Sequence, residues 1–209
     1  MTQVRLTIEG PKKAKTCVVL THGSGESSAS TFLSYFADGL VANKRRVVRF
    51  DFPYMAERST TGRRRPPDPE EVLMETWRQV VQELPNERII IGGKSLGGRI
   101  ATMVADELGV DGVLCLGYPF HPSGRPEKLR DEHLKELQTP TLIIQGELDQ
   151  FGSQAEVSGY SLSEAIQVHW VPEGDHSYNL PRGSDRAHQQ NLKNALRAAE
   201  SFLFERWGM

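Results

Sequence analysis

The chain has 209 residues, 38% of them hydrophobic and 25% charged, and a formal net charge of -2. At that length a compact fold buries roughly 70% of the surface its unfolded chain exposes, enough for a real core. So balanced a charge supplies no field to gather nucleic acid or an anionic membrane, and no apolar run approaches the roughly 20 residues of a membrane span or the layout of a signal peptide. The expectation is a cytoplasmic protein, one domain over residues 1–209, with neither nucleic acid nor membrane as a partner.

Apolar runs alternate with amphipathic segments along the chain, with no repeat and no low-complexity tract. In chain order, strands are predicted at Arg5–Ile8 and Thr16–Thr21, a helix at Thr31–Asn43, and a strand at Arg46–Phe50. Residues 51–71, "DFPYMAERSTTGRRRPPDPEE", show neither period and read as a long surface loop. Then come a helix at Pro69–Leu84, a strand at Arg88–Gly92, a helix at Ser95–Leu108 and a strand at Gly112–Gly117. A modest helix at Glu127–Leu137 follows, then strands at Pro140–Gln145 and Ile166–Val171. In a last helix over Ser184–Arg206, Leu192, Leu196, Ala199 and Leu203 share one face. The β-branched, nearly unbroken apolar strands suit a mostly parallel sheet covered by helices on both faces, a three-layer α/β sandwich. Cys17 and Cys115 lie inside "TCVVL" and "GVLCLG" with no ligand-spaced partner, so they read as buried thiols. No metal or cofactor is expected.

The segment "IIIGGKSLGGRIA", Ile89–Ala101, joins a strand to a helix almost without a loop. Gly93-Lys94-Ser95-Leu96-Gly97 matches G-x-S-x-G, in which glycines permit a close strand-to-helix turn and the serine takes strained dihedrals at the carboxyl edge of the sheet. Serine is also a common helix N-cap, so the motif alone admits a plain capping role. A phosphate-binding loop is excluded by spacing, because Arg88 occupies the position where the first glycine would stand.

A serine hydroxyl needs a base, and the base needs an orienting carboxylate. Downstream, "TPTLIIQGELDQFG" supplies Asp149 after a strand, with Glu147 as its rival, and "IQVHWVPEGDHSYNL" supplies His176 in the loop after the next strand. Asp175 adjoins the histidine in sequence and is poorly placed to orient its ring. The candidate triad is Ser95, Asp149 and His176, with an apparent pKa of roughly 6 to 7 expected for the base. "LTHGSGES" follows the second strand and offers the amides of Ser24 or Gly25, together with that of Leu96, as an oxyanion hole. His22 reads as a brace for that loop. Tyr118, Phe120 and His121, after a strand end, are candidate acyl-pocket residues or hinge packing. Arg64 and Arg65, next to Arg63, are candidate contacts for an anionic substrate group or a solvated charge run.

With "LTHGSGES", "FDFPYMAERSTTGRRRPPDPEE", "GGKSLGGRIA", "LGYPFHPSGRPEKLRDEHL", "TPTLIIQGELDQFG" and "GDHSYNL" in hand, nearly the whole chain resembles small bacterial α/β-hydrolase-fold proteins related to dienelactone hydrolases. Within that group it is similar to the members that look like the hydrolase-like subunit of an animal histone-acetylating (NSL) complex. The resemblance implies the α/β-hydrolase fold without a large cap domain and a triad at Ser95, Asp149 and His176. Dienelactone hydrolases themselves use a cysteine where this sequence has Ser95, which counts against dienelactone as substrate. Two functions stand against each other. One is a serine hydrolase, a carboxylesterase or thioesterase taking a small ester or thioester through an acyl-enzyme, as a monomer or small homo-oligomer. The other is a non-catalytic interaction protein on the same fold.

Overall fold

A computed structural model describes residues 4–85 and 87–208. Its elements are β1 (Leu6–Glu9), β2 (Thr16–Thr21), α1 (Thr31–Ala42), β3 (Arg46–Phe50), α2 (Pro53–Thr61), α3 (Glu70–Gln82), β4 (Arg88–Lys94), α4 (Leu96–Leu108), β5 (Gly112–Leu116), β6 (Thr141–Gly146), α5 (Gln154–Val157), β7 (Ile166–Val171) and α6 (Asp185–Trp207). The strands form one seven-stranded sheet in the order β1-β3-β2-β4-β5-β6-β7. β1 runs antiparallel to β3 and the other pairings are parallel.

The central strands β2, β5 and β6 are buried along their whole length, because alternate side chains feed two separate cores. On one face Val19, Ile91, Val113 and Ile143 meet Trp77 and Val80 of α3 and Ile100 and Val104 of α4. On the other, Val18, Ile90, Leu114 and Leu142 meet Leu33 and Phe36 of α1 and Leu192, Ala199 and Leu203 of α6. That is the three-layer α/β-hydrolase architecture expected from the sequence. Both cysteines are buried free thiols, and burial pushes Cys17 up to about 11 and Cys115 higher still.

Two segments depart from expectation. The stretch after β3 is not simply a loop, because Pro53–Thr61 forms α2. Proline stands in its first turn, Tyr54 and Met55 are buried, and Gly62 closes it in the left-handed conformation at φ 72°. Conversely, Glu127–Leu137 holds a short 3-10 turn at Glu132–Lys135 rather than a helix. Its backbone is committed elsewhere: the Arg130 amide donates to Phe120 O at 2.7 Å, and the Tyr118 hydroxyl donates to Arg130 O at 2.9 Å. Leu134 and Leu137 pack into the core from this turn, whereas Leu129 is exposed. Between β5 and β6 the described residues therefore form no cap over the carboxyl edge of the sheet.

Candidate active site

β4 and α4 meet at Ser95, whose backbone sits at φ 50° and ψ -113°. A non-glycine residue at positive φ stores strain, and such strain collects where a side chain must be held in a particular place. The surroundings enforce the turn. The Ser95 amide donates to Leu116 O at 3.1 Å, while Arg99 N donates to Ser95 O at 3.0 Å as the first bond of the helix. A Cβ on Gly97 would lie 2.7 Å from the Thr21 carbonyl oxygen and 2.8 Å from that of His22, and one on Gly93 would strike the Thr21 carbonyl. The glycines flanking the serine are thus demanded by the approach of α4 and β4 to the end of β2. The Ser95 side chain makes no capping bond.

Beyond the end of β6, Asp149 is fully buried. Its Oδ2 accepts from His176 Nδ1 at 2.6 Å and from Gln145 Nε2 at 2.9 Å, and its Oδ1 accepts from the Phe151 amide at 2.8 Å. A carboxylate so held fixes the imidazole with its proton on Nδ1 and leaves Nε2 as the acceptor. His176 Nε2 is buried and has no hydrogen-bond partner among the described residues. The ring packs against Phe151 at a tilt of 55°, centroids 4.4 Å apart, and its Nδ1 would be 3.2 Å from a Cβ on Gly117. Register pairs Lys94 with Leu116, so Ser95 and Gly117 are the next residues along β4 and β5, and the imidazole lies against the strand end neighbouring the serine. Burial first, and then the nearby Lys94 charge, push the His176 pKa below its ordinary 6.5, against the pull of Asp149 and Asp175.

The rival carboxylates are engaged elsewhere. Glu147 accepts from the Glu173 amide at 2.9 Å, and Asp175 accepts from the amides of Ser177 and Asn179. Gln145, which sequence reasoning passed over, ties the site together. Its Oε1 accepts from the Tyr118 amide at 2.7 Å, and its Nε2 reaches the carbonyls of Tyr118 and Gly152 as well as Asp149. A buried polar residue inside "LIIQG" was the available signal, since a buried amide must find partners.

The loop after β2 packs beside the elbow, a Cβ on Gly23 lying 3.4 Å from that of Ser95. His22, fully buried and pushed down in pKa by that burial, donates from Nδ1 to Gly23 O at 2.6 Å and accepts from the Phe52 amide at 3.0 Å. The Tyr54 hydroxyl also donates to Gly23 O, at 3.2 Å. Because a trans peptide sets C=O and N–H on opposite sides, holding the Gly23 carbonyl inward turns the Ser24 amide outward. Neither that amide nor those of Gly25 and Leu96 has a hydrogen-bond partner among the described residues. Leu96 opens α4, where an amide lacks an intrahelical acceptor and the helix dipole favours negative charge.

Other candidates move away from the site. Tyr118 and Phe120 are 0% exposed and His121 2%, so they are packing beneath the loops and offer no open face as an acyl pocket. The Tyr118 and Phe120 rings lie 4.7 Å apart, and His121 Nδ1 donates to Pro122 O. Arg65 is spent on Glu57 and Asp68, at 2.7 and 2.6 Å, and braces α2 to the segment that follows it. Arg63 and Arg64 are exposed. The arginine that reaches the site is Arg58 of α2, whose Nη1 donates to Gly25 O at 2.8 Å. It lines a cleft of about 780 Å³ with Glu26, Phe32, Ser177, Asn179 and His188.

The alpha/beta hydrolase domain family matches residues 14–204, and the chain belongs to it. Among solved structures it is similar to an α/β serine hydrolase without a lid from Xanthomonas campestris, at 18% identity, TM-score 0.73, covering 98% of this chain and 89% of that one. It is also similar to a dienelactone hydrolase from Anabaena variabilis, at 20% identity and TM-score 0.73 over 98% and 93% of the two chains. Est1E from Butyrivibrio proteoclasticus, with ferulic acid bound, aligns at 15% identity and TM-score 0.72 over 99% and 96%. At these identities the likeness is one of fold.

Proposed function

We propose that the protein is a serine hydrolase that cleaves small esters or thioesters through an acyl-enzyme on Ser95. The observation that carries this is the strained, uncapped serine at the end of β4 beside a half-buried His176 that is held by the buried Asp149 and whose Nε2 is unspent. His176 Nε2 takes the Ser95 hydroxyl proton as the oxygen attacks the acyl carbon. The amides of Leu96 and of Ser24 or Gly25 hold the oxyanion. The imidazolium then protonates the leaving alcohol or thiol, and the carbonyl reforms as the acyl ester of Ser95. Water, deprotonated by the same nitrogen, attacks that ester, and collapse returns the proton to Ser95 and frees the acid.

Between β5 and β6 the described residues form no cap, and the cleft next to Gly25 and Ser177 is lined by Glu26, Arg58 and Asn179 as well as by Phe32 and Leu192. Methylenes beyond the first few stay in water and forgo the roughly 0.8 kcal/mol that burial of each would contribute. Short acyl groups of about four to six carbons are therefore the proposed substrates. Along a series of aryl acyl esters, kcat/KM should level off or fall past that length; a steady rise out to long chains would contradict it. The direct test of the chemistry is a fluorophosphonate probe. A covalent adduct on Ser95, lost in Ser95→Ala, is expected; intact folded protein without an adduct would favour the interaction-protein reading.

A further inference from the structure

The residue between the first glycine and the serine of the elbow, Lys94, is half-buried and turns toward the loop that carries His176. Its stem passes the loop after β2, with Cγ 3.5 Å from where a Cβ on Gly23 would stand. Its Nζ donates to the backbone carbonyl of His176. The same nitrogen lies over the rings of Phe32 at 4.6 Å and Tyr178 at 5.7 Å. At Gly117 the crowding is direct, since a Cβ there would be 2.9 Å from His176 O and 3.0 Å from Lys94 Nζ. One ammonium thus touches α1, the end of β5, and the loop carrying His176, while its chain neighbour is Ser95.

We infer that Lys94 is a positioning residue for the general base: its ammonium pins the His176 loop through the His176 carbonyl and sets a positive charge beside the imidazole, Nζ and His176 Nδ1 lying 3.0 and 3.2 Å from the same point, the Cβ position of Gly117. The inference rests on the proposed role of His176. A lysine head in a half-enclosed niche is costly to charge, and a hydrophobic residue would fill the niche without that cost. Aromatic faces on one side and a carbonyl on the other stabilise the cation instead. The charged groups facing it are the carboxylates of Asp149, Asp175 and Glu26, which favour the ammonium, while burial pushes the amine down to about 8. Tyr178 contributes its ring but no charge, because burial holds its phenol far above its usual pKa while the hydroxyl donates to Ile144 O. On His176 the carboxylates of Asp149 and Asp175 favour protonation, and Lys94 opposes them.

Below about pH 8 Lys94 is charged, and removing that charge makes His176 easier to protonate. Activity, which needs the neutral base, should then appear at higher pH.

The experiment follows the His176 imidazole by NMR in isotope-labelled protein, with His176→Gln to assign the signal, and records kcat/KM against pH for Lys94→Met, Lys94→Gln and Lys94→Arg. Lys94→Met and Lys94→Gln should raise both the His176 titration and the acid limb of activity by roughly one pH unit, the scale of a neighbouring charge. Lys94→Arg should hold both near the parent. Lys94→Gln keeps a donor without the charge, so it carries the test if Lys94→Met fails to fold. An unchanged His176 titration in the neutral variants would overturn the inference, whatever happens to turnover. Ser95→Ala separates the two ideas. If it abolishes turnover while Lys94→Gln leaves the titration unmoved, the hydrolase reading stands and the lysine role falls. If it leaves turnover intact while the titration moves, the lysine still acts on the imidazole but His176 is not the base of a Ser95 hydrolase.

Discussion

Ser184 and Ser95 each stand immediately before a helix, α6 and α4, the position a capping serine takes. Ser184 sits at φ -82° and ψ 161°, relaxed extended backbone, and its hydroxyl accepts from the Ala187 amide at 3.4 Å. Ser30, before α1, does the same for Leu33 from φ -58°. Ser95 stands at φ 50° with no capping bond. A capping serine spends its oxygen on stabilising a helix end. The elbow serine leaves that oxygen unspent and the leading amides of α4 unsatisfied by it, and the loss is tolerated because the elbow is clamped by β2, β5 and the two flanking glycines. The difference is between a hydroxyl consumed by the fold and one reserved from it.

The contrast breaks first on activity. Ser95→Ala should lower turnover by roughly 10⁴-fold or more, and His176→Ala should match it. The double variant should be little worse than either, because the pair acts as a unit; losses that multiply in steady-state kinetics would show independent roles. Thermal unfolding of Ser95→Ala should stay near the parent, since no cap is removed.

Asp149→Asn should cost up to about 10⁴-fold, because an amide favours the wrong imidazole tautomer. Glu147→Gln, at a carboxylate engaged by the Glu173 amide, should leave kcat within a few-fold of the parent. A reversal of that order would move the orienting acid to Glu147.

A third variant attacks the clamp rather than the chemistry. Gly97→Ala places a methyl group 2.7 Å from the Thr21 carbonyl oxygen, and backbone on both sides resists movement. Overpacking of this kind costs about 1–3 kcal/mol, readable as a lower denaturation midpoint together with lower kcat. Unaltered stability would mean that the elbow is looser than its contacts imply.

How much of this was legible follows from what kind of signal each element leaves. Thr16–Thr21 and Ile166–Val171 read correctly to the residue because both are short, β-branched and bounded by turn residues, too short for a helix. Asp149 and His176 were found by order along the chain, which the α/β connectivity turns into proximity across strand ends. α2 was hidden by the arginine and proline run after it, although Pro53 at its start and Gly62 at its end marked both boundaries. α5 was also passed over, yet Ser153 and Glu156 form a capping box that its sequence spells out. The Glu127–Leu137 segment had helical leucine spacing, but tertiary hydrogen bonds to Phe120 and Tyr118 overrode it. Lys94 left the faintest trace, since its partner is the His176 carbonyl on a distant loop, whereas Gln145 showed as a polar residue in a buried strand but not which of Tyr118, Asp149 and Gly152 it would bind.

Ser184→Ala removes one accepting oxygen from the N-terminus of a 23-residue helix. Losing such a cap costs about 0.5–2 kcal/mol in general, and the exposed setting and 3.4 Å length of this bond put it at the low end, near ~0.5 kcal/mol. In a chain of this size that corresponds to roughly 1–2 °C in Tm. Turnover should not change, because the Ser184 hydroxyl is spent on the Ala187 amide. The two alanine variants therefore cross: Ser95→Ala loses the reaction and keeps its stability, while Ser184→Ala keeps the reaction and loses a little stability. Calorimetry and kinetics on the same two preparations measure both axes. A Ser95→Ala protein destabilised as much as Ser184→Ala would show that Ser95 caps its helix in solution, and the separation between a spent and a reserved hydroxyl would collapse.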